Sequence, residues 1–148
     1  MNLEDLQSSV DTLIDGDATL GVIPRVLDDG TYPLLTSIHD PLRDYGMVLI
    51  IFRTENVGLV DTSLEGTFAY LASVHVIIEE NVAVNRAVSG RPTTEKVTRL
   101  LGNLLKGALE ESSPGSGLLP MDPWFKNFGN IDGIQRCVVN FTKQLSSQ

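Results

Sequence analysis

Between Thr67 and Glu79 the even-numbered positions Phe68, Tyr70, Ala72, Val74, Val76 and Ile78 are all apolar, whereas the odd ones mix Thr67, Ser73, His75 and Glu79 with Leu71 and Ile77. A period of two predicts a strand with one dry face and one mixed face, long enough to accommodate a bulge or bend. Downstream, Val97, Leu100, Leu101, Leu104, Leu105 and Ala108 recur at offsets of three and four. That spacing predicts an amphipathic helix from Thr93 to Leu109, with Pro92 and a threonine cap before it and Ser112, Ser113 and Pro114 behind. The dry strand face packed on the apolar helix stripe is the expected core.

The rest of the pattern surrounds this pair. Leu3, Leu6, Val10, Leu13 and Ile14 predict a first helix capped by Asn2, with Glu4 and Asp5 in its first turn and Gly16 ending it. Leu20 to Leu27 reads as a short strand that Pro24 confines to a sheet edge, followed by a turn at Asp28-Asp29-Gly30. Tyr32 to His39 fits either a second short strand or an extended loop. Met47 to Phe52 is apolar at both parities and rich in β-branched residues, the mark of a central strand covered on both faces. The polar connection from Arg53 to Gly66 contains Val57, Leu59 and Val60, which would let it extend the flanking strands into a projecting hairpin. Residues 112–132 combine Pro, Gly and Ser with Trp124, Phe125 and Phe128 and read as a long irregular loop of the functional or mobile kind. Ile134 to Lys143, with Cys137, Val139 and Phe141 on one face, is the last strand. The expected fold is one α+β domain over residues 1–148. Its antiparallel-rich central sheet of about four strands packs against two main helices, with long loops at 53–66, 79–92 and 112–132.

Composition narrows the function classes. A chain of 148 residues can bury roughly 70% of its unfolded surface without staples. Its net charge of −8 argues against nonspecific binding to DNA or anionic membranes, which needs clustered Lys and Arg. Cys137 is the only cysteine, so no intrachain disulfide is possible, and the acidic opening Asn2-Leu-Glu-Asp-Leu-Gln does not read as a signal peptide. Synthesis in a reducing cytosol is the expectation. No apolar run approaches the roughly 20 residues that span a bilayer.

Candidate chemistry is sparse. His39 and His75 with one cysteine fall short of a standard zinc set, and His75 reads as a structural histidine. No serine sits in a nucleophile elbow, and Gly102 to Gly107 lies in the apolar helix without phosphate-loop spacing. Asp40 with Asp44, and Asp61 with Glu65, are carboxylate pairs at four-residue spacing, which in an acidic chain read as solvated surface rather than acid–base machinery. Asn140-Phe-Thr142 matches a glycosylation sequon but falls in a predicted strand. No catalytic, cofactor or metal residue is assigned, and the chain does not read as an enzyme. The most specific local signal is Glu79-Glu-Asn-Val-Ala-Val-Asn-Arg86, with Arg91 close behind. It is read both as a loop held by its own asparagines and as a surface where Arg86 and Arg91 meet carboxylates of a neighbouring subunit.

In these residues the chain resembles the tail terminator group of tailed-bacteriophage tail-completion proteins. The resemblance runs through the N-terminal helix, the central sheet, Glu80-Asn-Val-Ala-Val-Asn-Arg86, the Gly90-Arg-Pro-Thr-Thr94 lead into the amphipathic helix, and the final strand Arg136-Cys-Val-Val-Asn-Phe-Thr142. It implies a structural virion subunit, assembled in the host cytoplasm, that forms a six-membered ring of its own copies on the head-proximal end of the tail tube. That ring would stop tube growth and join the neck or head connector, with a sheath as further partner if the tail contracts. DNA would only pass through its acidic bore, and no membrane is involved. By element order, the implied subunit and partner contacts are Glu79, Glu80, Asn81, Asn85, Arg86, Arg91, Trp124, Phe125 and Phe128. Arg86→Glu is then expected to leave a folded subunit that fails to oligomerise. Another neck, connector or baseplate subunit is the alternative within the class; outside it stands a carboxylate-based enzyme or small-molecule binder using Asp40, Asp44, Asp61 and Glu65.

Overall fold

The computed structural model describes residues 1–28, 34–61, 69–111 and 115–146, which form a five-stranded mixed sheet with four helices, an α+β fold. In chain order these are α1 (Leu3–Asp15), β1 (Arg25–Asp28), α2 (Leu34–Asp44), β2 (Met47–Asp61), β3 (Ala69–Asn81), α3 (Val82–Arg86), α4 (Thr94–Leu105), β4 (Leu119–Ile131) and β5 (Ile134–Ser146). The sheet order is β1-β2-β3-β5-β4, with β1 and β2 parallel and every other pairing antiparallel.

The first helix starts as its sequence predicts. Asn2 Oδ1 accepts from Asp5 N at 2.8 Å while Asp5 Oδ2 accepts from Asn2 N at 3.3 Å, a reciprocal cap. Leu6, Val10 and Ile14 are fully buried, and Gln7 Nε2 reaches the carbonyls of Ile51 at 2.7 Å and Asp28 at 3.0 Å, tying α1 across β1 and β2.

The two parities of the central strands make two cores. Met47, Leu49 and Ile51 line up beside Ala72, Val74, Val76 and Ile78, then Cys137, Val139 and Phe141, and this face is covered by α1 and α4. Val48 and Ile50 point the other way and bury Ile38 of α2, with Leu42 and Ile77 packed around them. Double coverage explains why Met47 to Ile51 expose nothing at all.

Helix α2 replaces the strand or loop expected at Tyr32 to His39, of which Tyr32 and Pro33 lie outside the described residues. Pro41 argues locally against a helix, yet it stands inside this one. Ile38 gains burial on the outer face of β2, and tertiary burial outweighs propensity. The same helix explains why β1 joins in parallel: parallel neighbours need a crossover, and α2 is the crossover from β1 to β2.

Three further expectations shift. The helix predicted to Leu109 stops at Leu105, because Gly107 and Leu109 take positive φ of 78° and 61° and the chain reverses against Leu118. Arg53 to Asp61 belongs to β2, which replaces the loop given for that part of 53–66 and agrees with the expected extension of the flanking strand, while residues 62–68 lie outside the described residues. From Leu119 on, the segment expected to be an irregular loop over 112–132 is the edge strand β4. Prolines cannot donate to a ladder but are tolerated at an edge, and the register with β5 breaks between Pro120 and Phe125 and again between Asn127 and Gly129. The fifth strand therefore hides behind a loop-like composition.

A two-residue turn joins β4 to β5. Asp132 and Gly133 have φ of 53° and 85°, the paired positive values of a type I′ hairpin, and Asn130 Oδ1 accepts from Gly133 N at 3.0 Å. Gly133→Val forces a β-branched residue into left-handed backbone and is expected to cost about 1–2 kcal/mol of unfolding free energy, read by urea denaturation.

Candidate functional site

Strand alternation at the end of β3 sends Glu79 and Glu80 to opposite faces, and both are buried. Glu79 receives Arg136 from the neighbouring strand through Nε at 2.7 Å and through Nη2. Glu80 meets the start of α4. Its Oε1 accepts from Thr94 Oγ1 at 2.9 Å, Thr94 N at 3.3 Å and Arg86 Nη2 at 3.3 Å; its Oε2 accepts from Asn85 Nδ2 at 2.7 Å and Arg86 Nε at 3.3 Å. Burial pushes the Glu80 carboxyl up, but hydrogen bonds from Arg86, then Asn85 and Thr94, outweigh it and hold the group below the usual carboxylate range. The positive end of α4 favours the same ionised form.

Helix α3 exists to close this cluster. Asn81 Oδ1 caps it through Val84 N at 3.4 Å, and Asn85 bridges Glu80 to the carbonyl of Pro92 at 2.9 Å. Gly46, at φ 102°, lets the strand start pass beneath: a Cβ there would stand 2.6 Å from Asn85 N. Arg91 is held by its own chain as well, donating from Nη1 to the Tyr45 carbonyl with its guanidinium 4.0 Å from the Tyr45 ring centre.

Arg86 is different, because its side chain keeps 53% of its surface exposed. It lines a groove of about 390 Å³ together with Thr98 and Arg99 of α4, Trp124 and Phe125 of β4, and Cys137 of β5. Trp124 also borders a second groove of about 370 Å³, with Arg99, Lys106, Pro120 and Phe141. The indole lies against Gly102, where a Cβ would come within 2.8 Å of the ring, and it meets Phe125 edge-on at 4.8 Å between ring centres. Gly102→Ala is expected to push Trp124 off α4, shifting the emission of the chain's one tryptophan to the red and costing about 1–3 kcal/mol.

Of the residues expected from sequence, the fold thus brings Arg86, Trp124 and Phe125 into one groove, with Glu80, itself held by Asn85, anchoring Arg86 from below. Glu79, Asn81 and Arg91 do not line it, and Phe128 stands farther along β4, 48% exposed, with Lys126 Nζ 5.0 Å from its ring centre. Because both Arg86 contacts fall on Glu80, Arg86→Glu would set a second carboxylate against a buried one and read out folding as well as assembly. Sequence reading passed over Arg99 and Gly102. A lone glycine inside a helical stripe was the available signal for the latter, since it costs about 1 kcal/mol relative to Ala unless something packs there.

The groove's chemistry suits polypeptide contact. Aromatic rings beside guanidinium groups are what protein interfaces concentrate. Burial raises the Cys137 thiol more than hydrogen bonds from Thr98 and Gln135 lower it, so it stays protonated at neutral pH. Asp40 and Asp44 sit on exposed α2, each paired with Arg43 at 3.3 and 2.8 Å, and the Arg43 hydrogen bond holds Asp44 below the usual range. His75 stacks on Phe52 at 4.6 Å between ring centres, and its Nδ1 meets Asn140 Oδ1 at 2.7 Å across β3 and β5. The side chains of Asp61 and Glu65 lie outside the described residues. No helix among the described residues is long and apolar enough to cross a membrane.

No protein-family model and no curated protein sequence matches the chain. Among solved structures it is similar to a chain of the virion of a native gene transfer agent particle, 15% identical, with a TM-score of 0.60 over 96% of this chain and 95% of that one. Another solved chain, 13% identical over 95% of this chain and 94% of its own, reaches a TM-score of 0.46, too loose to bear on the fold.

Proposed function

We propose that the chain is a structural subunit of a phage-like virion, acting as a tail terminator. Copies of it close as a ring, of six by the family resemblance, on the head-proximal end of the tail tube. One face of the ring matches the last tube layer and the other presents no copy of that face, so addition of tube subunits stops. The outer face receives the neck or head connector, and DNA passes through an acidic bore that repels its phosphates. The near end-to-end likeness in fold to a virion chain supports the virion part of this reading, and the terminator role and the ring follow from the resemblance in sequence. An exposed aromatic edge strand, on a chain whose buried carboxylates Glu79 and Glu80 are taken up by Arg136 and Arg86, supports contact work over catalysis.

The deciding experiment is to assemble particles without this protein and measure their tails by electron microscopy, alongside the mass of the purified chain by light scattering. Tubes of uncontrolled length that are cut short on adding the protein are expected. Tubes of normal length that fail to join heads would move the protein to the connector, and normal infectious particles would remove it from the virion.

A further inference from the structure

The two edges of the sheet differ in charge. The described residues of 1–44, which build α1, β1 and α2, include eight acidic residues against two cations, while those of 86–146, which build α4, β4 and β5, include eight cations against five acidic residues. In the order β1-β2-β3-β5-β4 the strands β1 and β4 are the two edges, with α1 packed mainly on β2 and β1 and α4 mainly on β5 and β3. Each end also exposes apolar side chains at its centre. On the β4 edge Phe125 is 44%, Phe128 48% and Ile131 70% exposed; on the β1 edge Val22 is 65% and Leu27 41% exposed. The rims carry opposite signs. Half-exposed or freer Arg86, Arg99 and Lys126 flank the aromatic strand, whereas on the other side Asp11 and Asp15 of α1 share the single Arg25 at 2.6 and 2.7 Å, which leaves that group net negative.

From this pairing of an apolar centre with opposite charge at its rim, we infer that the two edges are the halves of one head-to-tail contact, in which the β4 edge of one copy docks on the β1 and α1 edge of the next. The inference rests on the ring reading above and assigns its surfaces. A contact between unlike patches leaves one free patch at each end of every assembly, so it propagates until it closes, as a ring requires. Two prolines and two register breaks deny the incoming copy a continuous ladder along β4. The contact is therefore made by side chains: aromatic anchors at the centre supply affinity and the rim charges supply orientation.

The test uses the full chain with two double variants, each at exposed positions: Lys126→Glu with Phe128→Glu on one edge, and Val22→Lys with Leu27→Lys on the other. Sedimentation from micromolar to millimolar protein should show wild-type assemblies and monomers for either variant alone, each association weakened about thirtyfold or more, the loss of one anchor. An equimolar mixture should give dimers and stop there, because each variant retains the one edge its partner lacks. Rings that persist in both variants overturn the edge assignment and leave the ring reading intact. A wild-type chain that stays monomeric throughout overturns the inference, and the tail-length measurement then judges the ring reading separately. Should a double variant lose its wild-type unfolding midpoint, Lys126→Glu and Val22→Lys alone, at freely exposed positions, carry the same mixing test.

Discussion

Phe141→Ala is expected to lower the unfolding free energy by about 3–5 kcal/mol, the cost of removing a large buried aromatic and leaving a cavity. Phe141 is 1% exposed, opposes Val74 in the β3–β5 register and Pro120 in the β4–β5 register, and belongs to the core under α1 and α4. It also borders the groove beside Trp124, so the cavity opens beneath the indole rather than deep in the fold. Two readouts should move together: the urea midpoint falls, and the tryptophan emission shifts because its support is gone. Phe141→Leu keeps most of the volume and should lose less than half as much. If the alanine variant unfolds at the wild-type midpoint, β4 is not packed on β5 and α4 as described.

Glu80→Gln is expected to cost about 2–4 kcal/mol at neutral pH, because it replaces an ionised acceptor of five donor contacts by a neutral group with one acceptor oxygen. The pH dependence separates this from mere packing. Glu80 is held below its unfolded pKa, so its contribution is complete above the unfolded carboxylate range and is lost as pH falls through the folded value. The gap between wild type and Glu80→Gln should accordingly be widest near neutrality and narrow in acid. An equal gap at both would mean that the ionised form is not what holds β3, α3 and α4 together. Loss of this cluster would also release Arg86 from its position at the groove.

Several parts of this architecture are legible in the chain itself because they depend on neighbours in sequence. The alternation through Val74, Val76 and Ile78 and the three-and-four spacing through Val97, Leu101 and Leu105 specify a strand and a helix whatever surrounds them, and all six side chains are buried. The Asn2 cap with Asp5 is equally local. The last turn of the sheet was missed although Asp132-Gly133 is a strong hairpin signal. Its weight was masked by the proline, glycine and asparagine content of the strand before it.

What residues distant in sequence decide could not be read in this way. Pro41 sits inside α2 because Ile38 finds Val48 and Ile50 across the sheet, and no window of the sequence contains that contact. Glu80 and Arg86 look from sequence like free charges offered to a partner, yet burial of Glu80 at the start of α4 makes their pairing internal. The sequence by itself determined the alternating strands, the amphipathic helices and the acidic balance, because periodicity and charge are properties of the chain. The tertiary structure alone decided that Arg86, Trp124 and Phe125 share a groove and that β1 and β4 end on opposite sheet edges, because both follow from strand order, which is set by burial between distant segments.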